Sequence, residues 1–473
     1  MTDSTTDDPR ADDPRAAPGK ALLSLCARRL LAHGPSARRA LRLLPPQLYP
    51  VLFQAAFQDG RTLVLQDLVA TWPFPLLSFR DLLGQRFPQE RSHKSCIQAV
   101  ISAVVELLRR ELEDSFLACL EVAKHQSQHR ERGSKRRKGP SSLSPAPLPV
   151  EIRADLFVNA TSFPILREAL GISPSSLLLL KCRDFHAEEL PAAGTAALLG
   201  SLDPSGLRRV ELRFNNLGMA GLGLILPQLS HFQDLLSLQL PYSNLDLRRP
   251  LPGLDAAIRC LAAHLGKLPR LKELNLDSSR LSGKLRQLFS DLESPLESLQ
   301  LAFCSLLPSD LTFLSQSLHA PALRKLDLSG HHLNENLLQP LQLLLEEASA
   351  SLLHLDLMEC HLTDTRLEVL LPTLCRCSRL RCLGLFGNPL STPGLQSLLR
   401  RTGVLRDLRL VVYPYPLECY IQDPTSGHPV EVDEERLAAV GAELSRMLGS
   451  SGRAGTLWTT SLCPHGALNY LTP

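Results

Sequence analysis

From residue 207 onward, apolar and polar positions return in one order: a leucine, two residues, an aliphatic, one residue, a leucine, two residues, a small polar residue, one residue, a leucine. The first copies are Leu207-Val210-Leu212-Asn215-Leu217, Leu235-Leu238-Leu240-Ser243-Leu245, Leu271-Leu274-Leu276-Ser279-Leu281 and Leu296-Leu299-Leu301-Cys304-Leu306. Leu323-Leu326-Leu328-His331-Leu333, Leu352-Leu355-Leu357-Cys360-Leu362 and Leu380-Leu383-Leu385-Asn388-Leu390 follow, and Leu405-Leu408-Leu410 is a last, partial copy. Successive starts lie 28, 36, 25, 27, 29, 28 and 25 residues apart, which is leucine-rich-repeat spacing at the long end of its range. Alternate residues of a strand face opposite ways, so the fourth and sixth positions of each copy enter a core and the fifth points outward. Between copies lie runs with aliphatics at helical spacing, such as Asp310 to Leu318 and Asn334 to Glu347, each with a Ser, Asp or Asn near its start. Each unit is therefore predicted to be a strand plus a helix. No such unit buries its apolar face alone, and stacking gives an α/β solenoid with a parallel sheet on its concave side. A degenerate unit around Leu177, Leu180 and Cys182 is expected to begin the array, and the tail GRAGTLWTTSLCPHGALNYL, with Trp458, to cap it.

The pattern before residue 149 is different. Residues 19–31 (GKALLSLCARRLL) place aliphatics at helical spacing with Arg28 and Arg29 opposite, after Pro18. LRLLPPQLYPVLFQAAF starts a second helix after a Pro pair that fixes its entry, and TWPFPLLSF marks a turn before helical runs to about residue 123. The expected organisation is an acidic, disordered segment at 1–18, a small all-helical module at 19–123, a flexible basic linker at 124–148, and the solenoid with its cap at 149–473.

Composition fits an array that reuses one core position many times, since leucine occurs 105 times while aromatic residues make up 5%. The net charge of +3 conceals an asymmetry: residues 124–138 (KHQSQHRERGSKRRK) hold seven Lys or Arg and one Glu, so the rest of the chain carries −3. That excludes a globally basic nucleic-acid binder, and no direct nucleic-acid contact is expected. Lys135, Arg136, Arg137 and Lys138 are a candidate nuclear-import signal, with a solvated linker as the alternative reading. Twelve Cys without obvious pairing, and the polar opening MTDSTTDDPRADDP, point to a reduced, intracellular setting, cytoplasmic or also nuclear. No apolar run approaches the roughly 18 residues of a membrane span, so no membrane partner is expected.

Chemistry-bearing motifs are sparse. There is no phosphate-binding glycine loop, no HExxH pair and no GxSxG serine, so neither catalysis nor a cofactor is expected. Cys375, Cys377 and Cys382 lie close in sequence, and Cys463 is near His465, but no second pair completes a zinc site, so no metal is expected. Cys304 and Cys360 occupy the small-residue position of the repeat and read as structural. The outward strand positions are the candidate surface for a protein client: Arg209 and Arg213, then Glu273 and Asp277, then Asp327 and Asp356, with Met358 and Phe386 as apolar anchors at one end. This face is acidic in its middle and suits a basic or mixed peptide surface; a merely solvated polar face is the alternative.

The stretches LLPPQLYPVLFQAAF, LVATWPFPLLSF, PVEIRADLFVN, VELRFNNLG, SPLESLQLAFCSLLPSDL and LRCLGLFGNPLS resemble the PRAME family. The resemblance covers nearly the whole chain outside the acidic first residues and the basic linker, and TWPFPLLSF and PVEIRADLF carry it most specifically, because repeat chemistry does not demand them. It implies a horseshoe of ribonuclease-inhibitor-like repeats and service as a substrate receptor of a cullin-2 RING ubiquitin ligase through elongins B and C. An elongin-binding box wants a small residue, then Leu, then Cys or Ser four positions later, then an aliphatic four beyond, all on one helical face; Ala21, Leu22, Cys26 and Leu30 match. A cullin-selecting box wants an aliphatic, Pro, and aliphatics three and seven residues after the Pro; Leu44, Pro45, Leu48 and Leu52 match. Plain packing of the helical module is the alternative for these leucines. The resemblance also implies two other roles: damping Toll-like-receptor NF-κB signalling by binding IκB kinase β, and transcriptional corepression.

Overall fold

The computed structural model describes residues 18–31, 41, 44–74, 76–78, 82, 95–96, 99–100, 102–103, 106, 150–153, 155–164, 166–167, 178–248, 252–422, 429–450 and 456–460. Two units account for them, one within residues 1–155 and 161–182, the other within 156–160 and 183–473. Residues 1–17 of the expected disordered segment, the basic linker with Lys135–Lys138, and Cys463 and His465 lie outside the described residues, whereas Pro18 already belongs to a helix.

In the first unit, helices α1 (Pro18–Leu31) and α2 (Tyr49–Gln58) form where the apolar spacing predicts them, with the Pro pair opening a short turn at Pro46–Leu48, and a separate helix α3 (Thr62–Ala70) follows. Their apolar faces meet in a core that includes Phe53, Phe57, Leu65 and Leu68, all essentially without solvent contact. Trp72, from the TWPFP stretch, lies edge-on to Tyr49 and Phe53 at centroid distances of 6.1 and 5.8 Å, and the Tyr49 hydroxyl donates to the Leu41 carbonyl at 3.0 Å. This region is not purely helical. The TWPFPLLSF stretch contains a strand, Leu76–Ser78. That strand pairs in parallel with Val150–Arg153, which in turn pairs with Leu178–Lys181, making a separate three-stranded sheet. The segment expected to begin the array thus belongs to this smaller sheet. Its four consecutive leucines, 177–180, lack the alternation that marks a repeat strand.

Among the described residues, the second unit is built on a parallel sheet of eleven strands whose spatial order follows the chain, Leu156–Val158, Asp184–Glu188, Arg209–Arg213, Ser237–Gln239, Glu273–Asn275, Ser298–Gln300, Lys325–Asp327, His354–Asp356, Cys382–Gly384, Leu410–Val412 and Leu457–Thr459, with a separate antiparallel pair, Tyr420–Gln422 and Pro429–Val432. Pairing keeps repeat positions in register, with Leu238, Leu274, Leu299, Leu326, Leu355, Leu383 and Val411 opposite one another in sequence. Each of these side chains is 0% exposed. Full burial of a leucine stabilises by on the order of 2 kcal/mol, yet every coil must order some 25 residues at about 1–2 kcal/mol each, so a coil persists only through its neighbours. The connecting helices include Pro308–Ser315 and Glu335–Ala348, close to the predicted bounds. Asn334 begins the second by accepting the Leu337 N–H on its side chain. The two strands that open this sheet escape the leucine pattern, because Phe185 and Ala187 fill the inward positions of the second. At the far end Leu457–Thr459 is the sheet's last strand among the described residues, and the Trp458 ring lies 6.0 Å from that of Tyr413. No helix among the described residues is long and apolar enough to cross a membrane.

The small polar position ties one coil to the previous one. Asn388 Nδ2 donates to the Leu357 and Leu385 carbonyls at 2.7 and 2.8 Å, while its Oδ1 accepts the N–H groups of Cys360 and Leu362 at 3.0 and 2.9 Å. Asn215 links to the preceding coil likewise, through the Ala187 carbonyl and the Leu190 N–H. Cys304 and Cys360 supply only a donor, their thiols pointing at the Leu276 and Leu328 carbonyls. Burial pushes the Cys360 thiol up to about 12, so it stays a neutral thiol that packs and donates. The Ser243 and Ser279 hydroxyls are buried and too short to complete such a link. Asn388→Ala strands four backbone groups and is expected to lower stability by about 2–4 kcal/mol, whereas Ser279→Ala should change it by less than about 0.5 kcal/mol. Urea unfolding of the purified chain measures both, and equal tolerance of the two substitutions would refute this role for the asparagine.

Candidate functional site

Two surfaces come forward, one in each unit. On α1 the face toward α2 carries Ala27 and Leu31, which are buried in the module's core. Arg28 reaches from the same helix to Asp59 at 3.5 Å and to Gln58 at 3.2 Å. Residues 22, 26 and 30 follow one another at intervals of four, so they share a single line along the helix. Cys26 on that line is exposed and Leu30 is 36% exposed, and Leu23 and Leu25 beside it are 43% and 62% exposed. The helix thus carries apolar side chains on two sides, and the fold uses one. Ala21 and Leu22 lie on the backbone of the same helix. The residues of the second box divide differently. Pro45 is exposed, Leu44 and Leu48 are partly buried against the module's core, and Leu52 sits within that core at 3% exposure. Leu52 is therefore a packing residue in this fold.

The second surface is the concave side of the solenoid. At its start Phe157 stacks on His186 at 4.5 Å, and His186 Nδ1 lies 3.0 Å from Glu211, which also receives the Arg213 guanidinium at 2.6 Å. Burial alone would raise the Glu211 carboxyl, but these two neighbours outweigh it and hold the group at about 2. Arg209 lies 3.8 Å from Glu273. Toward the middle the carboxylates sink into the surface. Glu273 and Asp356 are 7% and 5% exposed, far less than outward strand positions lead one to expect. Asp277 accepts the Ala302 N–H at 2.8 Å, Asp327 accepts the Ser329 N–H at 2.9 Å, and Asp356 lies 2.7 Å from His354 Nε2. Gly384, which stands beside Asp356 in the register, makes this possible, because a Cβ there would collide with the Asp356 carboxylate. Burial, and then the nearby charges of Asp356 and Asp277, push Asp327 up to about 7. Met358 and Phe386 do not stand free; they pack on Cys382, Leu410 and Val412, an apolar cluster of their own chain.

Reading outward positions from the leucine pattern missed three aromatic side chains. Phe214, Tyr242 and Phe303 are each about half exposed, and they lie two residues beyond the last inward leucine of their strands, where alternation no longer predicts direction. Among the described residues no group of three or more His, Cys, Asp or Glu side chains is placed to hold a metal ion.

The Asp327 carboxyl has a folded pKa of about 7 against 3.8 for the ordinary group, so its protonated form is favoured by folding. The stability it contributes is complete below about pH 4 and is lost as pH rises through 7. Asp327→Asn retains an acceptor for the Ser329 N–H and removes the titration. The variant is therefore expected to gain stability relative to the parent between pH 5 and 8, read as the difference in thermal midpoint of the two proteins. A difference that is flat across that range would contradict the arrangement.

Residues 19–115 match the PRAME N-terminal domain, and residues 198–472 match the PRAME C-terminal domain. The chain is 45% identical over 511 residues to leucine-rich repeat-containing protein 14 of Xenopus laevis, covering 96% of this chain and 100% of that one. It is 44% identical over 494 residues to the protein of that name from Homo sapiens, covering 95% and 99%. Among solved structures it is similar to a chain of the yeast Rad7 and Elc1 complex, with a TM-score of 0.33 and 16% identity over 55% of this chain and 68% of that one. An internalin of Listeria monocytogenes gives a TM-score of 0.22 and 14% identity over 53% and 64%. The two domain matches and the near full-length identity place this chain in the PRAME family.

Proposed function

We propose that this protein is a non-enzymatic adaptor, the substrate-recognition subunit of a cullin-2 RING ubiquitin ligase, in which α1 docks on elongin C and the solenoid holds a client. The observation that carries the reading is the second apolar side of α1, with Leu23, Leu25, Cys26 and Leu30 left at the surface while Ala27 and Leu31 serve the core. An amphipathic helix with Leu22, Cys26 and Leu30 at intervals of four in sequence is suited to a hydrophobic pocket on a partner, with the leucine as anchor. Family membership supports the same reading. Leu44, Pro45 and Leu48, at the entry to α2, are the part of the cullin-selecting box able to face a partner, since Leu52 is held in the core.

Pull-down of the intact chain is expected to retain elongins B and C. Leu22→Ala combined with Cys26→Ala should weaken elongin C retention at least tenfold with little change in thermal midpoint, while Cys26→Ser should keep it, because the box accepts either residue. Full retention by the double variant would remove the assignment. A client of the ligase accumulates when the proteasome is inhibited; an IκB kinase β that is merely masked by stoichiometric binding stays constant, and that outcome would favour the inhibitor reading instead.

A further inference from the structure

The strands of the solenoid end in a column of residues with left-handed backbone. Phe214, Tyr242, Ser278, Phe303, Gly330, Glu359 and Gly387 occupy the same repeat position, with φ between 53° and 74°. The backbone there extends the inter-coil ladder: Tyr242 N–H donates to the Asp277 carbonyl, Phe303 N–H to that of Ser329 and Gly330 N–H to that of Met358. Any residue supplies that N–H, and the conformation favours glycine and disfavours a bulky side chain. Three coils nevertheless carry aromatics at this position. They are not core residues: Phe214, Tyr242 and Phe303 are 47%, 51% and 48% exposed. Phe214 stacks on Tyr242 at 4.7 Å with 18° between the rings, and Phe303 lies over Gly330, where a Cβ would strike its ring. The small Ser278 separates the two aromatic pads. Strained backbone that places aromatic rings in solvent is the signature of a contact surface, not of a core.

The charge beside this ledge indicates what it contacts. From Glu273 to Asp356 the outward strand positions carry Glu273, Asp277, Asp327 and Asp356 against Lys325 alone, and the Lys325 ammonium is engaged with Gln300 at 3.1 Å. A polyanion is repelled by such a face. A cation gains twice, from the carboxylates and from the aromatic faces. Adjacent coils are about 4.8 Å apart, so the pads span about 14 Å, a length covered by four or five residues of extended peptide. We propose that Phe214, Tyr242 and Phe303, with the neighbouring carboxylates of Asp277 and Asp327, are the docking surface for an extended segment of a protein partner that carries arginine or lysine. This deepens the adaptor reading, on which it rests, by naming the chemistry of what the solenoid holds.

The probe is a fluorescein-labelled twelve-residue peptide of repeated Gly-Ser-Arg, with repeated Gly-Ser-Glu as its counterpart, titrated with the intact chain at about 150 mM salt and followed by anisotropy. The arginine peptide is expected to bind at least tenfold more tightly than the glutamate peptide. Phe214→Asn, Tyr242→Asn and Phe303→Asn together should weaken the arginine peptide at least tenfold and leave the thermal midpoint unchanged or raised, because Asn tolerates the left-handed backbone. Ser278→Lys, which sets a cation between the pads, should weaken the arginine peptide at least tenfold in an otherwise unaltered ledge. Equal binding of the two peptides, or unchanged binding by both variants, would overturn the proposal. Tighter peptide binding after deletion of residues 124–138 would overturn it too, by making the chain's own basic stretch the occupant. Elongin C retention measured on the triple variant separates the readings: retention with peptide binding lost leaves the scaffold assignment standing, and loss of retention in the parent removes that assignment alone.

Discussion

Everything in the larger unit depends on one constraint: a single coil has too little apolar surface to stay ordered, and it is completed only by the coil on either side. The leucines at the fourth repeat position are fully buried because each is roofed by its equivalents in neighbouring strands. Direction follows from that. Once the fourth and sixth positions face inward, the intervening residues line the concave side whatever their chemistry, and carboxylates such as Glu273 and Asp356 are carried into places where water is scarce. The raised Asp327 carboxyl is an electrostatic consequence of stacking coils at strand spacing, since repetition sets Asp277, Asp327 and Asp356 within range of one another.

The same repetition divides the chain's labour. Fixed positions hold the stack together, through leucine inside and through Asn or Cys at coil junctions, and they leave other positions unconstrained. Ser278, Gly330 and Gly387 show that the strand-end position works with minimal side chains. The aromatics in three other coils are therefore additions to the fold. In the smaller unit the equivalent addition is the spare side of α1, where apolar side chains exceed what its core employs.

Much of this was legible in the sequence, and the exceptions have physical causes. The leucine spacing predicted the strands from Arg209–Arg213 to Cys382–Gly384, because a solenoid core admits little variation at those positions, but the partial copy Leu405-Leu408-Leu410 was three residues out of register, since Val411 and not Leu408 stands beside Leu383. It failed at Asp184–Glu188, where Phe185 and Ala187 fill the same volume with different residues, and at Leu178–Lys181, where a run of leucines belongs to another sheet. Charge was legible in sign but not in depth: Glu273 and Asp356 were expected to stand in solvent, and Gly384 shows how a missing side chain one strand away lets an acid sink. Met358 and Phe386 were read as apolar anchors, and they are partly buried against Cys382, Leu410 and Val412, a packing that spacing does not reveal. Leu52 fits a partner-binding pattern and a core position equally well by spacing, and burial alone separates the two.

Two separate working surfaces, a helix stripe in one unit and the concave edge of the other, are the centre of this account. Hydrogen exchange of the intact chain with and without elongins B and C tests it directly. Slowed exchange is expected only in α1 and the entry of α2, with the strands from Arg209 to Asp356 unchanged. Protection spread over those strands, with α1 exchanging as in the free protein, would contradict it.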